Sequence, residues 1–93
     1  MSSSELKASW ATSLRHLAAS RFYLPQDLPS GEAAQFWSEA EGYLHHNELG
    51  LALDYLIGLG EVCSAPPEFW QELLLAARNM GTGEIADAIL AKL

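Results

Sequence analysis

Residues 42–60, GYLHHNELGLALDYLIGLG, decide the fold because one helical pattern ends inside this stretch and a second one begins. Asn47 is a favourable N-cap residue, and Glu48 would then lie in a first turn, where the helix dipole favours a negative charge. After this corner, apolar residues recur at helical spacing at Leu49, Ala52, Leu53, Leu56 and Gly60. We therefore predict an antiparallel pair of helices joined by a short turn.

Two helices are predicted on the N-terminal side of this corner, and the second of them ends at the corner. Ser30 is a plausible N-cap for the helix that ends near His46. Its apolar stripe consists of Ala33, Phe36, Trp37, Ala40, Tyr43 and Leu44, and the opposite side carries Glu32, Gln35, Glu39 and His46. An earlier helix spans residues 4–19, because Leu6, Trp10, Leu14 and Leu17 share one face. Two prolines make residues 22–30 a loop, and its aromatic and leucine residues indicate packing on the body of the domain.

Two more helices follow the corner. In SAPPEFWQELLLAARNMG, residues 64–81, the prolines suit a helix start and Gly81 suits a stop. The residues that we expect to face the core are Phe69, Trp70, Leu73, Leu74, Ala77 and Met80. A last helix over residues 82–92 presents Ile85, Ala88 and Ile89.

Fold class follows from this pattern and from composition. Strand alternation is absent, while Ala and Leu dominate. With 49% hydrophobic and 18% charged residues, the chain of 93 residues is too apolar to be disordered. We predict an all-α fold, a single domain over residues 1–93, built as a small bundle of four to five antiparallel helices with one core between two layers.

The third helix carries a second apolar stripe. Leu51, Tyr55, Gly58 and Val62 lie roughly opposite its first stripe. A helix that is apolar nearly all round is buried on several sides or carries a docking surface. The sequence therefore leaves two interpretations open, a central helix of the bundle or a helix that binds a partner.

The charge is unevenly distributed. The formal net charge is −7, yet residues 22–77 contain nine acids and no Lys or Arg. Direct nucleic-acid binding is disfavoured, because phosphate contacts need cations. The acidic segment would attract a basic protein, although simple solubility is an equally plain reason for it.

The histidines at the corner could be metal ligands, but the spacing does not favour it. Glu41 and His45 are four residues apart and can share a helix face, whereas His46 points about 100° away from His45. The remaining histidine, His16, lies on another helix. We therefore interpret the corner as structural and predict no cofactor and no metal. Phosphate-loop, metalloprotease and nucleophile motifs are also absent, so we do not predict an enzyme.

Cysteine content and apolar runs bear on location. Cys63 is alone, which excludes an internal disulfide, and its apolar neighbours indicate a small core residue at a helix end. No apolar run is long enough to span a bilayer, and residues 1–5 lack the features of a signal peptide. We therefore expect a cytoplasmic protein without a membrane partner.

HNELGLALDYLIGLGE, followed by FWQELLLAARNMG, resembles the small all-helical immunity proteins of bacterial polymorphic toxin systems, the MafI-like group in particular. The residues that carry the resemblance are Glu48, Gly50, Ala52, Leu53 and Glu61, then an aromatic-headed helix ending near Met80. It covers residues 43–81 and not the first forty. It implies a cytoplasmic protein that binds and neutralises a cognate toxin, commonly a nuclease, and it implies no particular contact residue.

An acidic protein-binding surface on the helical hairpin is the function that we predict. A patch that binds a partner combines apolar or aromatic anchors with a charged rim. The partner-binding residues that we predict are Glu41, Glu48, Leu51, Asp54, Tyr55 and Glu61. The partner would be a basic protein, such as a toxin nuclease domain. The alternatives are a structural or regulatory interaction module that forms homo-oligomers, such as a homodimer, through Leu51, Tyr55 and Val62, and a metal-dependent protein centred on His45 and Glu41.

Overall fold

The computed structural model describes residues 3–93, with side chains from residue 9 onward, and helices joined by short loops make up this range. No strand occurs in this range, so the predicted all-α fold is confirmed. The helices are α1 (Ser3–Ser20), α2 (Gly31–His45), α3 (Leu49–Cys63), α4 (Pro67–Met80) and α5 (Gly83–Leu90), and a short 3-10 helix, Arg21–Tyr23, extends α1.

Two pairs of helices build the domain. The α2–α3 hairpin packs beside an α1–α4 pair, and α5 packs on α4. In the second pair Asn79 binds Ser13 while Glu72 binds His16, so α1 and α4 run antiparallel. Helix α3 contacts α1, α2 and α4, so it is packed on several sides, as one of the two interpretations of its sequence expects, and α4 likewise contacts α1, α3 and α5.

The core lies where α3 and α4 meet the other helices. Most of the predicted core residues of these two helices are buried, and Phe69 and Leu73 are fully so. The buried apolar side chains are Leu17, Leu24, Ala33, Ala40, Leu49, Ala52, Leu53, Leu56, Leu59, Phe69, Trp70, Leu73, Leu74, Ala76, Ala77, Ala86 and Ile89. On α5 the sequence interpretation was wrong at one position, since Ala86 is buried and Ala88 is exposed.

The first helix departs from its predicted face. Leu17 is buried as expected, but Trp10 is 55% exposed, and Ser13 and Ser20 are buried instead. The predicted contribution of Leu6 falls outside the described side chains. The reason is that α1 packs against α4 through polar contacts, with Ser13 bonded to Asn79 and His16 bonded to Glu72, so polar side chains occupy part of this interface.

The loop after α1 packs only in part. Leu24 is buried and Leu28 packs against the core, whereas Phe22 is 87% exposed. Arg21 fixes the loop: its guanidinium donates to the carbonyl oxygens of Pro25 and Gln26 at 2.9 and 3.0 Å. The expected packing of the aromatic residues of this loop is therefore wrong for Phe22.

Three helices end in the same backbone motif. After α2 the N–H groups of Asn47 and Glu48 donate to the carbonyls of Leu44 and Tyr43, with Asn47 in the left-handed conformation, φ +57°. This is a Schellman motif, so Asn47 terminates α2. The prediction that Asn47 caps α3 is therefore wrong. Glu48 occupies the N-cap of α3 without a side-chain capping bond. Ser30 does cap α2, since its hydroxyl accepts a bond from the Ala33 N–H at 3.1 Å.

Ser64 ends α3 in the same left-handed conformation, φ +50°. Glycine adopts this conformation without the steric penalty that a Cβ atom brings. We therefore expect Ser64→Gly to raise the free energy of unfolding by about 0.5–1 kcal/mol, measured by urea denaturation. The matched control is Ser38→Gly, because Ser38 is exposed inside α2, where glycine should lower stability by roughly 0.5 kcal/mol. Equal signs for both substitutions would contradict the expectation.

Candidate partner-binding surface

The acidic segment is largely unneutralised in the folded chain. Of the nine acids in residues 22–77, only Glu61 and Glu72 form an ion pair with a basic side chain in the described part of the structure. Glu72 pairs with His16 at 2.7 Å, and Glu61 pairs with Lys92 at 3.4 Å. The other seven acids therefore leave a negative field that an external cation can neutralise.

Two cations of the chain, Arg21 and Lys92, form contacts with aromatic rings. Besides holding its loop, Arg21 lies over the Trp37 ring, 5.3 Å from its centroid. Lys92 lies 5.7 Å from the centroid of Trp70 while it pairs with Glu61. Neither side chain forms an ion pair with the acids at the start of α2 and α3 in the described part of the structure.

Aromatic rings join α2 to α3. Tyr55 stacks on Tyr43 with ring centroids 5.4 Å apart, and it lies 6.2 Å from Phe36 at an angle of 56°. Gly58 makes room for Phe36, because a Cβ atom on Gly58 would come within 2.5 Å of the Phe36 ring. The second stripe of α3 thus serves largely to pack α2, while Leu51 stays 45% exposed.

A pocket opens beside two of these rings. Phe36 and Tyr55 line it together with Glu32, Gln35 and Glu39, in a volume of about 420 Å³. We call these five residues the aromatic pocket. The amide of Gln35 donates to Oε1 of Glu39 at 3.1 Å. The sequence interpretation had placed Glu32, Gln35 and Glu39 opposite the apolar stripe, and this is wrong, since they share a groove with Phe36.

Spacing could have revealed this pocket. Glu32 and Glu39 lie four residues before and three residues after Phe36, and side chains at these spacings are neighbours on a helix. The wide apolar stripe of α2 obscured this relation, because its opposite edge, at Trp37 and Leu44, faces a groove against α1.

The electrostatic field of the hairpin acts on Tyr43. The pKa of the Tyr43 hydroxyl is raised above its ordinary value of 10.0. The first cause is Tyr55, whose own negative charge when ionised would repel the Tyr43 oxyanion, and the second is burial. The carboxylates of Glu39 and Glu48 raise this pKa further, since they oppose another negative charge. Both acids therefore lie within electrostatic range of Tyr43.

The six predicted partner-binding residues occupy three places. Glu48 acts on Tyr43, and Leu51 lies one turn before Asp54 and Tyr55 on α3. We call Glu48, Leu51, Asp54 and Tyr55 the hairpin surface.

The other two predicted residues lie elsewhere. Glu41 lies in a groove between α1 and α2 with Leu14 and Trp37. Glu61 lies beside Trp70 and Lys92. The structure does not bring these two residues together with the hairpin surface.

Histidine and cysteine chemistry offers no stronger site. His45 and His46 are exposed at the end of α2, as expected for a structural corner. No group of three or more His, Cys, Asp or Glu side chains within the described residues could hold a metal ion. Burial raises the pKa of the Cys63 thiol, which Arg21 opposes only in part, so the thiol stays protonated near neutral pH.

The polar contacts between α1 and α4 were not predicted from sequence. The Asn79 amide donates to the Ser9 carbonyl oxygen and to the Ser13 hydroxyl, both at 2.8 Å. His16 Nδ1 donates to Glu72 at 2.7 Å. Each partner lies more than fifty residues away in sequence, so local patterns give no signal for these bonds. They join the two helices and do not form a ligand site.

The geometry defines a class, a small all-α bundle whose helical hairpin carries an acidic surface with an aromatic pocket. No protein-family model, curated protein or solved structure matches this chain. The resemblance of residues 43–81 to immunity proteins therefore stays a prediction. Across the described residues, none of the helices combines the length and apolarity that a membrane span requires.

Proposed function

We propose that this protein is a non-enzymatic binding module that covers the cationic site of a basic protein. Within that class, the resemblance of residues 43–81 favours a cytoplasmic immunity protein that neutralises a toxin, with a nuclease as the natural target because a nuclease must itself attract phosphates. The observation that carries the proposal is that seven acids of residues 22–77 have no basic partner among the described side chains.

The mechanism is electrostatic and steric. Negative potential on the hairpin raises the rate of encounter with a positively charged protein by about 10- to 1,000-fold, and salt reduces this effect. After encounter, Leu51 and the half-buried Tyr55 provide apolar contact, while Glu48 and Asp54 pair with basic residues around it. The hairpin then blocks the basic site of the partner.

The test is capture of the partner from the native cell extract with the tagged protein, at low and at moderate salt. We expect a single basic protein that is released as salt rises. Charge reversal at the hairpin surface, Glu48→Lys with Asp54→Lys, should reduce the captured amount at least about tenfold, because two attractive contacts become repulsive.

A matched control separates a specific surface from net charge. Asp27→Lys with Asp87→Lys makes the same change of net charge at two exposed acids outside the hairpin surface. We expect near-normal capture by this control, with unchanged helical circular dichroism for both variants. Equal loss of capture in both pairs would show that only net charge matters and would contradict the proposed surface.

Self-association is the alternative function. It is favoured by the exposure of Leu51, which is 45%. Against it, Tyr55 already packs on Phe36 and Tyr43 within one chain, and the surrounding acids would repel their copies in a symmetric dimer. A monomeric sedimentation profile at high protein concentration would exclude the homodimer, whereas a dimer disrupted by Leu51→Ser would support it.

A further inference from the structure

We propose that the aromatic pocket, formed by Glu32, Gln35, Phe36, Glu39 and Tyr55, receives an arginine side chain of the partner protein. This inference rests on the proposed function for the existence of a basic partner. It goes further because it assigns the principal contact to residues that were not among the predicted partner-binding set, Tyr55 excepted.

The composition of the pocket selects a cation. Two aromatic rings, Phe36 and Tyr55, line one side, and the face of an aromatic ring attracts positive charge. Two carboxylates, Glu32 and Glu39, lie at the same pocket, and neither forms an ion pair with a basic side chain in the described structure. An anion would be repelled here, and a neutral donor would lack the charge attraction of the two carboxylates.

Arginine fits this arrangement better than lysine. A guanidinium group is planar, stacks on an aromatic ring and directs its N–H groups in a fork toward carboxylate oxygens. The rings of Phe36 and Tyr55 are inclined at 56° with centroids 6.2 Å apart, so they do not stack on each other, and both line the groove that the two carboxylates share. Gln35 holds Oε1 of Glu39 and leaves Oε2 to accept a bond from the ligand.

The surroundings of the pocket favour a side chain on a protein surface over a free small cation. The pocket is an open groove of about 420 Å³ on one side of the hairpin. Tyr55 belongs both to this pocket and to the hairpin surface, where Glu48, Leu51 and Asp54 can contact the region around an inserted arginine. One anchor in a pocket surrounded by weaker contacts is the usual organisation of a protein interface.

The probe is an acetylated and amidated pentapeptide, Gly-Gly-Arg-Gly-Gly, titrated into ¹⁵N-labelled protein and followed by NMR. We expect saturable shifts of the amide signals at residues 35, 36, 39 and 55. The same peptide with neutral citrulline in place of arginine should bind about tenfold more weakly, because it keeps the shape and loses the charge.

Variants of the protein test the pocket from its own side. Glu32→Gln with Glu39→Gln should weaken the arginine peptide about tenfold, and Phe36→Leu, which retains apolar volume and removes the ring, should do the same. The matched control is Asp27→Asn with Asp87→Asn, which changes net charge equally at exposed acids outside the pocket and should stay within twofold of the unchanged protein. Preserved amide spectra away from the pocket establish that each variant is folded.

Two results would overturn the inference. One is equal binding of the arginine and citrulline peptides; the other is a linear, unsaturated shift distributed over all acidic residues. Failure of this inference can be distinguished from failure of the proposed function. If the Glu32 and Glu39 double variant captures the native partner as well as the unchanged protein does, the assignment of the arginine contact to this pocket is wrong and the proposed function stands. If the pocket binds arginine but no basic protein is ever captured, the function fails and the pocket stands.

Discussion

Replacing Phe69 by alanine will lower the free energy of unfolding by about 3–5 kcal/mol, because it removes a large buried ring and leaves a cavity. Phe69 is fully buried on α4, and its ring meets the Trp70 ring edge to face at 5.3 Å. It also lies against Gly60 of α3, so it belongs to the contact that joins the two halves of the bundle. Small domains have a total stability of about 5–15 kcal/mol, so this variant should lose at least about a fifth of it.

Urea denaturation followed by circular dichroism measures this loss. The matched control is Phe22→Ala, since Phe22 is 87% exposed in the loop after α1 and its removal should change stability by no more than about 0.5 kcal/mol. A loss below about 1.5 kcal/mol for Phe69→Ala would mean that the α3–α4 contact does not carry the core.

Helical periodicity was sufficient to predict the part of the fold that large apolar residues build. The corner in residues 42–60 and the aromatic pair Phe69 and Trp70 led directly to the α2–α3 hairpin and to α4. Both predictions hold because Leu and aromatic side chains at helical spacing have few alternatives to burial. Where packing depends on small residues the same reasoning failed. Ser13 is buried in α1 while Trp10 is exposed. The buried face of α1 is the one that packs against α4, and α4 lies far away in sequence.

The corner itself shows a different limit. Asn47 is favourable both as an N-cap and as a left-handed residue that ends a helix. Two helices are separated here by only three residues, so sequence could not decide between these roles. The backbone decides it, because the Schellman bonds to Tyr43 and Leu44 require a left-handed residue at this position.

The candidate surface was predicted in composition more than in geometry. Acidity and the second stripe of α3 directed attention to the hairpin, where Glu48, Leu51, Asp54 and Tyr55 do lie. Distances between helices were not accessible from sequence. The structure places Glu41 and Glu61 in other grooves, and it adds Phe36 and Glu39 beside Tyr55. The ligand of such a pocket is inferred from the chemistry of the side chains that line it, because helical periodicity does not predict which side chains of two helices meet.

Gly60→Ala will lower the free energy of unfolding by about 1–3 kcal/mol, although alanine is the better helix former. A Cβ atom on Gly60 would lie 2.5 Å from Cε1 of Phe69 and 2.7 Å from Cη2 of Trp70. Both rings are buried, so neither can move aside without disturbing the core. The glycine is needed for the close approach of α4 to α3.

Two other glycines on α3 provide graded controls for the same substitution. Gly50 is exposed with no neighbour within 4 Å of an added Cβ atom, so Gly50→Ala should raise stability, by up to about 1 kcal/mol. Gly58 faces the half-buried Phe36, whose ring can shift, so Gly58→Ala should change stability little but distort the aromatic pocket. Urea denaturation should therefore rank the variants Gly50→Ala, Gly58→Ala and Gly60→Ala from most to least stable. A common sign for the first and the last would show that helix propensity, and not the approach of α4, governs these positions.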